Sequence, residues 1–164
     1  MKSIVAASIL ALSALLSPVA AQGVGLPIGT VAPGALVQTL DGKTVDLKQY
    51  IGTNPVVIEF WATWCPNCKE LEPTMLALKQ KYGDRIKLLG VAVSVNQSPA
   101  RVKAYAERHG LPLEVLWDHE GIATDVYAAP ATSYVVVIDT SGKVAYTGVG
   151  GNQNLDAVIS KLLK

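Results

Sequence analysis

The chain has few cysteines and few histidines for its 164 residues. Cys65 and Cys68 are the only cysteines, and His109 and His119 are the only histidines. A scaffold held together by several disulfides is therefore excluded. Two thiols alone do not complete a zinc site, and neither histidine stands at metal-ligand spacing from the cysteine pair. We expect no metal and no other cofactor, with both histidines at the solvated surface.

An excess of either charge is also absent. Lys2 is the only charged side chain among the first 21 residues, and the remainder carries 13 basic and 13 acidic side chains. Because these charges sum to zero, they provide no electrostatic attraction for nucleic acid or for an anionic membrane surface. We therefore expect neither of them as a partner.

The N-terminal segment, by contrast, is strongly apolar. After a short basic start, residues 4–16 are hydrophobic apart from two serines, and Val19 and Ala21 occupy the −3 and −1 positions of a cleavage site. This pattern predicts a secretory signal peptide over residues 1–21 and hence a periplasmic or secreted protein. The alternatives are an uncleaved membrane anchor or a buried helix. As a helix the run would measure ~20 Å, short of the ~30 Å hydrocarbon core, so we expect no membrane span after cleavage. No cysteine follows the run, which excludes a lipoprotein.

Residues 22–164 are long enough for one domain with its own core. Apolar runs and helical periodicity alternate along this part of the chain, and Asp41-Gly42 is a strong hairpin signal. The order predicts an α/β fold with a central mixed sheet and helices on both of its faces. The predicted strands cover residues 35–40, 43–47, 56–61, 86–95, 113–117, 134–138 and 144–149, and the predicted helices cover 66–82, 99–109, 120–127 and 155–163.

The two cysteines stand where the apolar run 56–61 gives way to a helical pattern. Their Cys-x-x-Cys spacing makes them neighbours on a helix that begins at Pro66. A disulfide across so short a loop stabilises a fold far less than one across a long loop, which argues against a purely structural role. Free backbone N–H groups and the helix dipole stabilise a thiolate at a helix N-terminus. We predict a redox site with Cys65 as the attacking nucleophile and Cys68 as the resolving thiol.

Glu59 is the sole charged residue inside the apolar run 56–61. Because a buried carboxylate is costly, its presence needs a reason. Placed behind Cys68, a desolvated carboxyl with a raised pKa could accept the proton of the resolving thiol. The alternative is that Glu59 pairs with a lysine or reaches solvent at the rim of the sheet.

Two tryptophans flank this site. We expect Trp61 in the core. Trp64, directly before Cys65, either forms a flat apolar surface for a substrate or packs as an ordinary core residue.

Residues 60–69 read Phe-Trp-Ala-Thr-Trp-Cys-Pro-Asn-Cys-Lys, and Pro73 follows five residues after the second cysteine. This stretch resembles the exported thioredoxin-like proteins of the TlpA/ResA type, and the resemblance extends over residues 28–164. It implies a thioredoxin-like fold with an N-terminal β-hairpin and a helix–strand insertion over 98–117. It also implies a buried acid at position 59, a reductant rather than an oxidant, and a membrane thiol–disulfide donor as a partner.

The loop before strand 134–138 departs from the pattern of these proteins, which place a cis-proline there, opposite the cysteines. Pro130 stands nine residues before Asp139 instead of the usual six, and an alignment without a gap puts Ser133 at the proline position. Either the start of the strand is longer by three residues, or the cis-proline is lost. In both cases the resemblance implies that this loop faces Cys65. The expected substrate contacts are Trp64, Pro66, Ala129, Pro130, Thr132 and Ser133.

These features together predict an exported thiol–disulfide oxidoreductase that exchanges a disulfide between Cys65–Cys68 and the cysteines of a partner protein. One alternative is a thiol peroxidase, although Ile58 and Ala62 occupy the positions where that chemistry usually has Pro and Thr or Ser. Another is a copper-binding module that uses both thiols and a distant histidine, since Cu(I) favours thiolates.

Overall fold

The computed structural model describes residues 24–164, so the predicted signal peptide lies outside the described residues and stays a prediction. Every predicted strand and helix is present, with ends within two residues of the expected ones. The strands are β1 Leu36–Thr39, β2 Thr44–Asp46, β3 Val56–Trp61, β4 Lys87–Val93, β5 Glu114–Asp118, β6 Tyr134–Ile138 and β7 Val144–Val149. The α-helices are α1 Pro66–Tyr82, α2 Pro99–His109, α3 Ile122–Val126 and α4 Leu155–Leu162, and short 3-10 helices cover Leu47–Tyr50 and Gly83–Arg85.

The strands form one mixed sheet in the order β2-β1-β5-β4-β3-β6-β7. β3 pairs in parallel with β4 and antiparallel with β6, while β4 pairs in parallel with β5. The hairpin β1–β2 turns at Gly42, whose φ of 90° favours glycine. No helix within residues 24–164 is long and apolar enough to cross a membrane.

β3 is buried along its whole length, which explains why its sequence is a continuous apolar run. Val56, Ile58 and Phe60 point into the core on one face of the sheet, with Tyr127 at the end of α3. Val57 points to the other face, where it packs against α1 and α4. Because side chains alternate along a strand, Glu59 and Trp61 lie on the Val57 face.

The helix–strand insertion covers the Val57 face beside the cysteines. α2 begins at Pro99, with Ser98 accepting a hydrogen bond from the Arg101 N–H, and ends at Gly110 in the left-handed conformation. Its Val102 packs against Trp61 and both cysteines. The insertion thus forms one wall of the cysteine site.

Candidate active site

The cysteine pair lies where β3 ends and α1 begins. Cys65 is the N-cap of α1, Pro66 occupies the first turn, and the two cysteines form a disulfide with their Cα atoms 5.3 Å apart. The backbone N–H of Cys68 donates a hydrogen bond to Cys65 Sγ over 3.1 Å. A backbone donor at a helix start that already points at Cys65 Sγ favours negative charge on this sulfur.

Burial does not distinguish the two sulfurs in the disulfide form. Cys65 is 5% exposed and Cys68 is 4% exposed. The neighbouring Pro66 and Asn67 are exposed. The asymmetry of the pair therefore comes from the hydrogen bond to Cys65 Sγ and not from accessibility.

Glu59 is buried, at 3% exposure, and its Oε1 has no hydrogen-bond partner among the described residues. Burial, and secondarily the charge of Glu72, raise the pKa of Glu59 to about 8. Among residues 24–164 Glu59 takes part in no ion pair, and at 3% exposure it does not reach solvent at the sheet rim.

A small cavity joins Glu59 to the resolving cysteine. Its volume is about 10 Å³, which is close to the space that one water molecule needs. Glu59, Trp61, Cys68 and Glu72 line it together with the apolar residues Met75, Leu111, Pro112 and Leu113. The indole N–H of Trp61 is also buried without a hydrogen-bond partner in the part of the chain that the structure describes. Glu59 Oε1 and Trp61 Nε1, both on residues that line the cavity, could therefore each form one more hydrogen bond.

Glu72 connects this cavity to α2, a contact that sequence reasoning missed. Tyr105 Oη donates a hydrogen bond to Glu72 Oε1 over 2.6 Å, and His109 Nδ1 lies 3.1 Å from Glu72 Oε2. His109 lies at the surface, as expected, and its ring stacks on Tyr105 with its side chain 24% exposed. His119 is exposed, as expected. Within residues 24–164 no cluster of three or more acidic, cysteine or histidine side chains is arranged to hold a metal ion.

Beside the disulfide, Trp64 forms one wall of an open groove of about 320 Å³. Its side chain is 42% exposed, and its indole N–H donates to the backbone oxygen of Val95 over 2.9 Å. Across the groove lie the acidic residues Glu120 and Asp125, and the other lining residues are Val93, Ser94, Val95, Gly121, Thr124, Ala129, Pro130, Ala131 and Thr132. Trp64 is thus a surface residue at the site, and Trp61 a buried one.

The loop before β6 contains no cis peptide bond, nor does any other part of residues 24–164. Pro130 therefore does not serve as a cis-proline, and of the two interpretations the loss of the cis-proline is the one that agrees with the structure. Ser133, at the aligned position, adopts a left-handed φ of 62° and donates its N–H to Phe60 O over 2.8 Å. It is completely buried behind the groove, where its Oγ accepts a hydrogen bond from Gly150 N–H over 3.0 Å.

A second contact missed from the sequence fixes the chain before Cys65. Gln97 accepts a hydrogen bond from Thr63 N–H over 2.9 Å and donates one to Val93 O over 2.6 Å. Its side chain thereby ties the Trp64–Cys65 turn to the end of β4. A lone glutamine in a loop carries no sequence signal for such a role.

A Cys-x-x-Cys disulfide that caps the helix after a central strand, with a buried carboxylate behind it, defines a thiol–disulfide oxidoreductase. Residues 28–147 match the model of the AhpC/TSA family, and the chain belongs to this family.

Its relatives include thiol–disulfide oxidoreductases. The chain is 32% identical to the thioredoxin-like protein YneN of Bacillus subtilis over 130 residues, which cover 77% of this chain and 74% of YneN. It is 30% identical to the thiol–disulfide oxidoreductase ResA of Bacillus thuringiensis over 119 residues, covering 73% and 68% of the two chains. A crystal structure of a thiol:disulfide interchange protein of the thioredoxin family from Chlorobium tepidum superposes with a TM-score of 0.68 at 27% identity, covering 83% of this chain and 97% of the other. These similarities confirm the thioredoxin-like fold and the predicted class of enzyme.

Proposed function

We propose that this protein reduces disulfides of partner proteins outside the cytoplasm, using Cys65 as the nucleophile and Cys68 as the resolving thiol. The observation that carries the proposal is the position of Cys65 at the start of α1, with the Cys68 N–H bonded to its sulfur and the Trp64 groove alongside. Such settings favour the thiolate form of a cysteine, which is the form that attacks a disulfide.

The reaction has two exchange steps. The Cys65 thiolate attacks one sulfur of the partner disulfide, which breaks the partner's S–S bond and releases its other sulfur as a thiolate. Cys68 then loses its proton and attacks Cys65 Sγ, which forms the Cys65–Cys68 disulfide and frees the second partner sulfur. The partner gains two electrons, the enzyme loses two, and a thiol–disulfide donor restores the reduced pair.

In the second step Glu59 takes the proton of Cys68. A carboxyl group with a pKa of about 8 stands close to the ~8.5 of a free thiol, so the proton transfers with little change in free energy. The cavity shared by Glu59 and Cys68, large enough for about one water molecule, supports this role because it supplies a route between the two groups.

The Trp64 groove binds the segment of the partner that surrounds its cysteine. Trp64, Ala129, Pro130 and Thr132 supply its apolar and backbone contacts. The exposed Pro66 contacts the partner next to Cys65, outside the groove, and Ser133 holds the loop in place. Glu120 and Asp125 give it negative charge, and none of its lining residues that the structure describes is lysine or arginine. A segment with an apolar side chain and a nearby basic one fits this surface best.

The proposal includes the direction of electron transfer, from this protein to its partners, and its location outside the cytoplasm. Residues 1–21 export the protein to the periplasm or beyond, and a membrane-bound thiol–disulfide donor keeps the cysteine pair reduced there. The apolar signal pattern of residues 1–21 supports export, and the similarity to ResA-type oxidoreductases supports exchange with protein partners.

Trapping tests the proposal directly. Cys68→Ala, expressed with the full leader, should accumulate mixed disulfides with partner proteins through Cys65, whereas a Cys65→Ala/Cys68→Ala variant should accumulate none. The purified wild type should reduce insulin disulfides, and Cys65→Ala should not. Activity that survives in Cys65→Ala would contradict the assignment of the nucleophile, and peroxide turnover faster than insulin reduction would favour a thiol peroxidase instead.

The redox state of Cys65 and Cys68 in cells tests whether the protein acts as a reductant. Alkylation of whole cells should find Cys65 and Cys68 mainly as thiols, since a reductant is held in its reduced form. A pair found fully oxidised during growth, in a protein that introduces disulfides into reduced partners, would reverse the proposed direction.

A further inference from the structure

The carboxyl group of Glu72 lies between the buried cysteine site and α2. Its side chain lines the small cavity with Glu59 and Cys68. Its two oxygens contact α2, one accepting from Tyr105 Oη and the other lying 3.1 Å from His109 Nδ1. One carboxyl group therefore contacts both the interior cavity and a side chain of the adjacent helix.

As whole residues, Glu59 is buried, Glu72 is half-buried and His109 is exposed. The side chains of Glu72 and His109 are exposed to a similar extent, 23% and 24%. The His109 ring stacks on Tyr105 with centroids 3.9 Å apart and an interplanar angle of 13°. The stacking and the bond to Glu72 hold His109 in one orientation at the edge of the buried site.

Because its pKa is about 8, Glu59 holds a proton at pH 7 and has to pass it to solvent before it can accept the proton of Cys68. The far wall of the cavity consists of Leu111, Pro112 and Leu113, which offer no titratable side chain. Among the residues lining the cavity, Glu72 is the titratable group that also contacts a partly exposed side chain.

We propose that Glu72 and His109 carry the proton between Glu59 and solvent, with Tyr105 as a positioning residue that holds the Glu72 carboxyl group between them. The proposal rests on the role assigned to Glu59 in the proposed function. It extends the site from the Cys-x-x-Cys segment to the inserted helix α2.

The transfer conserves protons at each step. Protonated Glu59 gives its proton across the cavity to the Glu72 carboxylate, and Glu59 returns to its ionised form. Glu72 passes the proton to Nδ1 of neutral His109, and the imidazole releases a proton from Nε2 to solvent. One proton leaves Cys68 and one enters the solvent, without an additional reactant.

The titratable groups around the cavity act on the proton transfer from Glu59. The titratable groups that face it or bond to Glu72 are Glu59 from β3, Cys68 from α1, and Tyr105 and His109 from α2. After burial, the charge of Glu72 is the second cause that raises the pKa of Glu59. Neutral Gln at position 72 should therefore lower the pKa of Glu59 as well as interrupt the transfer.

The decisive variant is His109→Gln, with His119→Gln as the matched control because His119 is an exposed histidine outside the cluster. The measurement is the single-turnover rate at which the reduced protein reduces a disulfide-linked peptide at pH 7 in dilute buffer. We expect His109→Gln to slow this rate roughly tenfold, less than the ~10²–10⁴ that a positioned acid–base group contributes, because buffer partly replaces it. Added imidazole should restore most of the lost rate, while His119→Gln should match the wild type with and without imidazole.

Two results would overturn the proposal. One is a wild-type rate in His109→Gln, and the other is a slower rate that imidazole does not restore, since a purely structural role of His109 predicts no such rescue. Tyr105→Phe, which keeps the ring stack but removes the bond to Glu72, should show a smaller loss with the same rescue.

Other variants show whether the proposed function itself is wrong, as distinct from the route through α2. If Glu59→Gln reduces the peptide as fast as the wild type, then the Glu59 step itself is wrong. If Cys68→Ala fails to trap partners, then the exchange mechanism is wrong. A defect in Glu59→Gln together with a wild-type His109→Gln rejects only the route through α2.

Discussion

Gly90 on β4 makes room for the indole ring of Trp61 on the neighbouring strand β3. A Cβ atom at position 90 would lie 2.8 Å from Trp61 Nε1 and 3.0 Å from Leu113 Cδ1. Gly90 is also the residue that stands opposite Glu59 in the parallel pairing of β3 and β4. The absence of a side chain there shapes the small cavity behind Cys68, because Trp61 and Leu113 both line it.

Gly90→Ala should therefore destabilise the protein. Overpacking of a well-packed interior costs about 1–3 kcal/mol, and the contact atoms here belong to a ring and a branched side chain that are both held in place. Urea unfolding of the oxidised protein measures the loss, and the fluorescence of Trp61 should change in the folded state. Because Trp61→Phe shortens the crowded side chain, the double variant should lose less stability than the sum of the two single variants. Additive losses would show that the added methyl group does not act through Trp61.

Glu59 should make the stability of the oxidised protein fall as the pH rises. Its folded-state pKa is raised to about 8 from the usual 4.5, so the folded protein holds this proton over a pH range in which the unfolded chain has lost it. The contribution of Glu59 to the free energy of unfolding is fully present below pH ~4.5. It decreases as the pH rises from about 4.5 to 8, and it is constant above that range. Since each unit of pKa shift corresponds to about 1.4 kcal/mol, the free energy of unfolding should fall by a few kcal/mol across this pH range.

Glu59→Gln should remove this dependence, with unfolding free energies in urea at pH 5 and pH 9 that are closer together than those of the wild type. At pH 9 the variant should be the more stable of the two, because it buries no charge. Glu107→Gln, an exposed change on α2, serves as the control and should retain the wild-type pH dependence. A Glu59→Gln profile that parallels the wild type would show that Glu59 is ionised in the folded protein at neutral pH.

The strands and the Cys-x-x-Cys site could be predicted from the sequence because both depend on local pattern. The run 56–61 is apolar because β3 is covered on both faces, and Glu59 stands out in it because a charge there is costly. Contacts made across the fold carry no such pattern. Nothing in the spacing of Glu72 and His109 indicates that α1 and α2 bring them together, and an exposed turn histidine and a stacked one have the same sequence signature.

Gly90 and Gln97 were missed for a related reason, as was the backbone conformation of Ser133. Gly90 lies in an apolar strand, and its role depends on the Trp61 ring of a neighbouring strand. Gln97 acts through two backbone groups of other segments. At Ser133 the sequence indicated that a proline was missing, but the left-handed backbone that replaces it depends on bonds to Phe60 and Gly150.

The acidic side of the Trp64 groove should select partners by charge. With Asp125→Lys, kcat/KM for a disulfide-linked peptide that carries lysine beside its cysteine should fall about fivefold, which corresponds to the ~1 kcal/mol of an exposed ion pair. A peptide with glutamate at the same position should be reduced faster than by the wild type. Glu107→Lys makes the same change in net charge outside the groove and should leave both rates unchanged.

High salt separates this effect from a distortion of the groove. Because exposed charges are screened within ~10 Å at 0.1 M salt and ~3 Å at 1 M, the two peptides should converge in rate as salt is added. A preference that persists at 1 M salt would mean that the Asp125 substitution alters the shape of the groove and not its charge.

The backbone at Ser133 leads to a prediction at the position where the resemblance to TlpA/ResA-type proteins implies a proline. Proline requires a φ near −65° and has no N–H, whereas Ser133 has a φ of 62° and donates its N–H to Phe60 O. Ser133→Pro should therefore destabilise the protein by about 3 kcal/mol or more, and Ser133→Gly by about 1 kcal/mol, since glycine keeps the backbone conformation and loses only the bond from Gly150 to Oγ. Urea unfolding measures both losses, and insulin reduction reports whether the loop still serves the site. A Ser133→Pro variant as stable as the wild type would show that the loop from Ala129 to Ser133 adopts a different backbone path, with residue 133 at a negative φ and its N–H free.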